Sequence, residues 1–221
     1  AKEQVGGMLR MVPVFRLPAS VIQEDVDRIT AMGVEIKTSH RVTQPPEALL
    51  KEGFDAVYVA SGFQKEAPLT IDGIEGEGVM AALDLLERSR RGETVDLGAR
   101  ALVIGGGDTA MDAVRVARRF TGSPATLVYR RTEKEMPANE EEKEGAFEEG
   151  IVLHELASPT RVIRENGRVV ALECIQNRLG EPGADGREEG GRGRGRAAVV
   201  PGFEDRRRQR AARSGEGPLR R

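Results

Sequence analysis

The sequence predicts an α/β fold built on a doubly wound parallel sheet, and three observations carry that prediction. Residues 101–104 (ALVI) are an unbroken apolar run, which suits a parallel strand buried on both faces. A glycine-rich turn follows at once, and residues 110–120 then show helical periodicity. A second β-rich run, ATLVY at 125–129, completes strand, helix and strand within about 30 residues, a βαβ unit whose crossover is expected to be right-handed.

The remaining elements fall into place around that unit. Residues 20–32 carry Val21, Ile22, Val26 and Ile29 on one stripe, with Pro18 before and Gly33 after, and so predict a helix. Residues 34–37 (VEIK) predict a short strand, 46–52 a helix, and 55–60 (DAVYVA) a buried strand ending at Ser61 and Gly62. Glycine, proline and acidic residues crowd 65–78, which marks a linker or domain crossing. Residues 79–90 predict an amphipathic helix, 139–149 a charged helix and 151–154 a strand. Residues 161–164 and 168–176 flank Glu165-Asn166-Gly167, and Asn-Gly between two β-rich runs is the strongest short hairpin signal.

After about Gly186 the character changes: the last 35 residues hold eleven Arg and no Lys, and the composition predicts a disordered tail without a core of its own. Such a switch is what a reading-frame shift in GC-rich DNA produces.

Composition excludes several function classes. Of 221 residues 32% are charged and 38% hydrophobic, with a formal net charge of −2, so no general attraction to nucleic acid or anionic membrane is expected. The single cysteine, Cys174, forbids an internal disulfide or a cysteine-built zinc or iron–sulfur site, and points to a reducing, cytoplasmic compartment. No apolar run approaches the roughly 20 residues that span a bilayer. His40 and His154 have no companions at metal-ligand spacing, so no metal site is expected. The first residue is Ala rather than Met, so a fragment, a processed form or an open-ended translation is expected.

The chemistry sits in the glycine turn. Gly105-x-Gly107-x-x-Ala110 lies between a strand and a helix, the context in which this Rossmann-type fingerprint has meaning. The first glycine permits the tight turn, the second lets backbone approach a pyrophosphate, and small Ala110 allows close helix–strand packing. The helix N-terminus offers amides and partial positive charge to phosphates. At the end of the second strand, where an NAD-binding domain usually carries Asp or Glu, stand Arg130 and Arg131. Guanidinium groups bind a 2′-phosphate where a carboxylate would repel it, so NADPH is the expected ligand. No acid–base side chain is needed for hydride transfer itself, and no catalytic residue is assigned.

Six strings occur in one order: GGMLR at 6–10, FRLP at 15–18, DAVYVASG at 55–62, VIGGGDTAMDAVR at 103–115, VYRRTEKEMPA at 128–138 and LECIQNRLGEP at 172–182. Together they resemble the small (beta) subunit family of NADPH-dependent glutamate synthase, FAD-dependent flavoproteins of the pyridine nucleotide-disulphide oxidoreductase kind, and the flavoprotein portion of dihydropyrimidine dehydrogenase. The resemblance covers about residues 2–186. It implies an NADPH-binding domain inserted in an FAD-binding domain, with hydride passing from NADPH to FAD and electrons leaving through iron–sulfur clusters to an electron-accepting subunit or domain.

By position, Gly6, Gly7, Met8 and Leu9 would lie along FAD, and Ser61 with Gly62 would stand at the domain crossing. Gly105, Gly107, Asp108, Thr109 and Ala110 would cradle the NADPH pyrophosphate, with Arg130 and Arg131 at the 2′-phosphate. The expected division is a partial FAD-binding domain over 1–66, the NADPH-binding domain over 67–185 and the tail over 186–221. The family's first FAD fingerprint and its iron–sulfur segment would precede residue 1, and a strand with a second flavin motif would follow Gly186. The FAD site is therefore expected to be truncated and the fragment poorly occupied by flavin. Two other readings stand beside this one: an NADP-binding module without redox activity, and RNA binding through the Arg/Gly tail.

Overall fold

The computed structural model describes residues 2–62, 69–180 and 198–201, the last four as backbone only. The chain divides into two compact units, Ala1–Lys65 and Glu66–Arg221.

In the second unit a five-stranded sheet runs in the order β1-β7-β2-β3-β4, with β1 at Met80–Ala81 and β7 at Ala198–Pro201 as its first two strands. Its parallel centre is β2 (Ala101–Ile104), β3 (Thr126–Val128) and β4 (Val152–His154). The crossovers are α4 (Asp108–Thr121) and α5 (Glu140–Glu148). All four residues of β2 are buried, as an unbroken apolar run requires of a strand covered on both faces.

The two faces are covered differently. Leu102, Ile104 and Val128 share one buried cluster with Val162, Val169 and Leu172 of a separate hairpin, β5 (Ala157–Glu165) and β6 (Arg168–Gln176). Alternation along a strand sends Ala101, Val103 and Leu127 to the other face, that of the helices, where α4 packs against α3 (Ala82–Arg90) and α5. The hairpin turns at Asn166 and Gly167, at φ 51° and 79°, the pair of left-handed conformations that makes Asn-Gly the favoured two-residue turn.

Helix α4 shows why its sequence ends where it does. Ala110, Met111, Ala113, Val114 and Ala117 form its buried side. Asp108 in its first turn and Arg118 and Arg119 in its last complement the helix dipole. Gly122, at φ 64°, closes it by donating its N–H to the Arg118 carbonyl at 2.9 Å.

Ion pairs then fix α5 beside it. Arg115 reaches Glu142 at 3.0 Å and Glu149 at 2.9 Å, and Arg119 reaches Glu149 at 2.6 Å. Burial pushes the Glu149 carboxyl up, but its hydrogen bonds and charge attraction to Arg119 and Arg115 outweigh that and hold it below the ordinary 4.5.

Three expectations are corrected here. Residues 80 and 81 open no helix: Met80–Ala81 is β1, paired with β7, and α3 begins at Ala82. Strand β7, Ala198–Pro201, lies within the stretch expected to be disordered; it pairs antiparallel with both β1 and β2. Its two adjacent valines favour extended backbone, and the rim of β2 opposite β3 offers a ladder to join. The rest of the basic segment, with its Arg/Gly repeats, lies outside the described residues.

The unit Ala1–Lys65 also departs from what its sequence predicts. Helices α1 (Ala19–Ala31) and α2 (Pro46–Lys51) form where periodicity places them. Residues 34–37 and 55–60 form neither helix nor strand, and no segment described in this unit forms a ladder with them. Of the stripe on α1 only Ile22 is buried. Among the described residues, no helix is long and apolar enough to cross a membrane.

Candidate functional site: a glycine turn beside an arginine pair

Strand β2 delivers the chain to the turn, and its neighbour β3 fixes where the turn begins. The Gly105 N–H donates to the Val128 carbonyl at 3.0 Å, extending the parallel ladder by one residue. Gly105 then takes φ 147°, a conformation that side chains rarely tolerate. Gly107 is extended and is the N-cap of α4, its carbonyl accepting from the Ala110 and Met111 amides at 2.8 and 3.1 Å. The leading amides of a helix have no acceptor within it, so the turn presents donors backed by the helix dipole. Thr109 lies in the first turn of α4, half-buried, and Ala110 is buried against the sheet side.

Asp108 serves a different end. Its carboxylate accepts from the Asn139 N–H at 2.8 Å and from the Asn139 side-chain amide at 3.0 Å. The carboxylate is thus committed to the start of α5, and what Asp108 offers an anion is its backbone amide.

The sequence fingerprint does not single out Gly106, yet the structure makes it a critical glycine. A Cβ built there would lie 2.4 Å from the Tyr129 ring. Tyr129 is 6% exposed, and its hydroxyl donates to the Glu135 carbonyl at 2.8 Å. Its ring fills the space under the turn.

Arg130 and Arg131 follow β3, so they stand at the carboxyl ends of the sheet beside the glycine turn, the edge at which open α/β sheets bind ligands. Arg130 is half-buried and Arg131 only 7% exposed. The Arg131 Nε is buried with no hydrogen-bond partner among the described residues. A buried guanidinium donor left unpaired is costly, so an anionic acceptor is favoured there. The next residues fold into a short 3-10 turn in which Glu135 accepts from the Thr132 N–H at 3.0 Å and from its hydroxyl. The string T-x-x-E announces such a turn, and it is the signal that would have found Thr132 and Glu135 beforehand.

The other unit holds the remaining predicted residues. Gly6 precedes a 3-10 turn, Gly7–Arg10, with Gly6 at φ 119° and Gly7 at φ 50°. Met8 and Leu9 are 37% and 54% exposed. Ser61 and Gly62 follow Tyr58 outside any helix or strand and are exposed. Cys174, in β6, is pushed up to about 11 by partial burial of its thiol and by the Glu173 carboxylate.

Comparison with known proteins bears on this arrangement. The pyridine nucleotide-disulphide oxidoreductase family profile matches residues 10–181. The chain is 39% identical over 206 residues to the NADPH-Fe(3+) oxidoreductase subunit beta of Geobacter sulfurreducens, spanning 90% of this chain and 30% of that one. It is 32% identical over 216 residues to the glutamate synthase [NADPH] small chain of Escherichia coli K12, spanning 91% of this chain and 44% of that one. The chain thus spans less than half the length of either relative. Among solved structures, Mycobacterium tuberculosis FprA in complex with NADPH aligns with a TM-score of 0.66 at 18% identity, covering 91% of this chain and 61% of FprA, a likeness of fold.

Proposed function

The chain belongs to the pyridine nucleotide-disulphide oxidoreductase family, and from that premise we propose that it is the nucleotide-handling portion of an NADPH-dependent flavoprotein oxidoreductase. The observation that carries this reading is the glycine turn of Gly105 and Gly107 at the mouth of β2 with Arg130 and Arg131 at the end of the adjacent parallel strand. Relatives named for NADPH chemistry support it, and two of them are named as a beta subunit and a small chain, which supports an electron-accepting partner.

Two features of the site suit NADPH. The turn leaves no room for a Cβ at Gly106, so the backbone of residues 105–107 is held as a bare cradle. The buried, unpaired Nε of Arg131 supplies a donor that a dianionic 2′-phosphate satisfies. Gly105, Gly107, Thr109 and Ala110 with the amide of Asp108 would hold the pyrophosphate. Arg130 and Arg131 would hold the 2′-phosphate and exclude NADH by the contact it lacks. Gly6, Gly7, Met8, Leu9, Ser61 and Gly62 are assigned to FAD on the support of positive-φ glycine backbone beside exposed apolar side chains. When bound, the nicotinamide supplies a hydride and the flavin accepts its two electrons, which iron–sulfur clusters of a partner would take up. This assignment divides the chain into an FAD-facing portion over 1–66 and an NADPH-binding portion over 67–185.

Nicotinamide fluorescence tests the reading. Replacing Arg130 and Arg131 with Ala is expected to weaken NADPH about ten- to a hundredfold, the value of a lost charge-assisted hydrogen bond, and NADH hardly at all. Equal loss for both cofactors would make the arginines structural and overturn the assignment. Adding FAD separates full function from nucleotide binding alone: a bound flavin spectrum bleached by NADPH supports the oxidoreductase, whereas NADPH binding with no bound flavin supports a module that only binds the nucleotide.

A further inference from the structure

The arginine pair is useful only if it stands at the right distance from the glycine turn, and the segment from Tyr129 to Asn139 is fastened at both ends as though to fix that distance. At its start, the Tyr129 N–H donates to the His154 carbonyl and the Tyr129 carbonyl accepts from Ala157, each at 2.9 Å. The Arg130 carbonyl accepts from the Asn177 side chain at 2.7 Å, and the Arg131 carbonyl from the Leu156 N–H at 3.0 Å. At its end, the Ala138 N–H donates to the Gly106 carbonyl at 3.2 Å and Asn139 holds Asp108. Between these lies the turn Thr132–Glu135, which closes on itself and also takes the Tyr129 hydroxyl.

We propose that Thr132 and Glu135 are positioning residues for the choice of NADPH over NADH, setting Arg130 and Arg131 against the 2′-phosphate through this closed turn. The proposal rests on the assignment of the arginine pair made above.

The chemistry of Glu135 argues for this role. A carboxylate three residues from Thr132 and close to a 2′-phosphate site would repel the ligand if it were free to swing. Here one of its oxygens accepts both the Thr132 N–H and the Thr132 hydroxyl, so the side chain is held in the turn. The Glu135 N–H returns a bond to the Thr132 carbonyl at 3.1 Å. The residue immediately after Arg131 is thereby fixed at its amide, its hydroxyl and its carbonyl. A preorganised backbone lowers the ordering cost when two long arginine side chains close on a phosphate. Opening the turn should therefore raise that cost for ligands bearing a 2′-phosphate and leave others nearly untouched.

The probes are 2′,5′-ADP and 5′-AMP, which differ by that phosphate, titrated calorimetrically into the full chain. Glu135→Ala and Thr132→Val are each expected to weaken 2′,5′-ADP about five- to tenfold, the range of one or two hydrogen bonds, with 5′-AMP changed less than about twofold. Glu135→Gln keeps an acceptor for the Thr132 N–H and is expected to restore most of the affinity. Thr132→Val is nearly isosteric and carries the test should Glu135→Ala fail to fold. Equal weakening of both probes, or no weakening of 2′,5′-ADP, overturns the proposal. The Arg130→Ala/Arg131→Ala variant separates the two layers of argument. If it leaves the preference for 2′,5′-ADP intact, the NADPH assignment falls and this proposal with it. If it abolishes the preference while Glu135→Ala and Thr132→Val retain it, only the positioning role falls.

Discussion

In Glu66–Arg221 the side chains of Leu85, Leu102, Leu127 and Met111 are closed to solvent at 0–1% exposure, whereas in Ala1–Lys65 Tyr58 stands 92% exposed and Val59 68%. The first of these regions pairs its strands, covers both faces of the sheet and ties α4 to α5 with half-buried ion pairs. The second has two helices, a glycine turn and segments without a ladder, around a core in which Met11 and Ile22 are the buried hydrophobic residues among those described. The geometry proposed for the nucleotide is set by a core in the same unit, so it can be tested without the flavin. The residues assigned to FAD rest on a much thinner frame.

The largest expected effect bears on this contrast. Leu127→Ala should destabilise the protein by about 2–5 kcal/mol in denaturant melts, because the site is enclosed and cannot collapse around the loss. Ile29→Ala in α1, 41% exposed, should change stability by no more than about 0.5 kcal/mol. Similar values for the two would erase the distinction between the regions.

Next comes Gly106→Val. Its side chain would collide with the Tyr129 ring, at a cost of about 1–3 kcal/mol for overpacking. NADPH titration should show at least about a tenfold loss, since the turn must shift to admit the side chain. Retained affinity would mean that the turn is not the cradle.

A smaller effect is expected in acid. Glu149 is held ionised below its ordinary 4.5, so the folded chain binds fewer protons than the unfolded chain as pH falls below that value. Its pairs with Arg115 and Arg119 therefore stabilise fully above about pH 4.5 and are lost as pH drops through the lower folded value. Melting temperature against pH should fall less steeply below 4.5 in Glu149→Gln than in the wild type. The smallest effect concerns Cys174: with its thiol pushed up to about 11, alkylation by iodoacetamide at pH 8 should be markedly slower than for an unperturbed thiol, and faster once the chain is unfolded.

The same contrast explains what the sequence allowed to be read. The run ALVI at Ala101–Ile104 became β2 residue for residue, and Asn166-Gly167 became the hairpin turn, because both signals are local. Pairing is not local. VEIK at 34–37 and DAVYVA at 55–60 have strand composition but no pairing neighbour among the described residues of their unit, whereas Met80–Ala81 and Ala198–Pro201 became strands by pairing, the latter with β2 as well. In the site, the glycines and the arginines were legible from spacing. The burial of Arg131, the ring of Tyr129 under Gly106 and the Asp108–Asn139 clasp were not, since each joins elements separated along the chain.

Amide hydrogen exchange on the full chain, with and without 2′,5′-ADP, tests most directly that one unit holds the nucleotide. Added protection is expected at residues 105–110 and 129–139, with unchanged exchange over residues 2–62. Protection centred on residues 6–10 and 55–62, with none at the glycine turn, would contradict it.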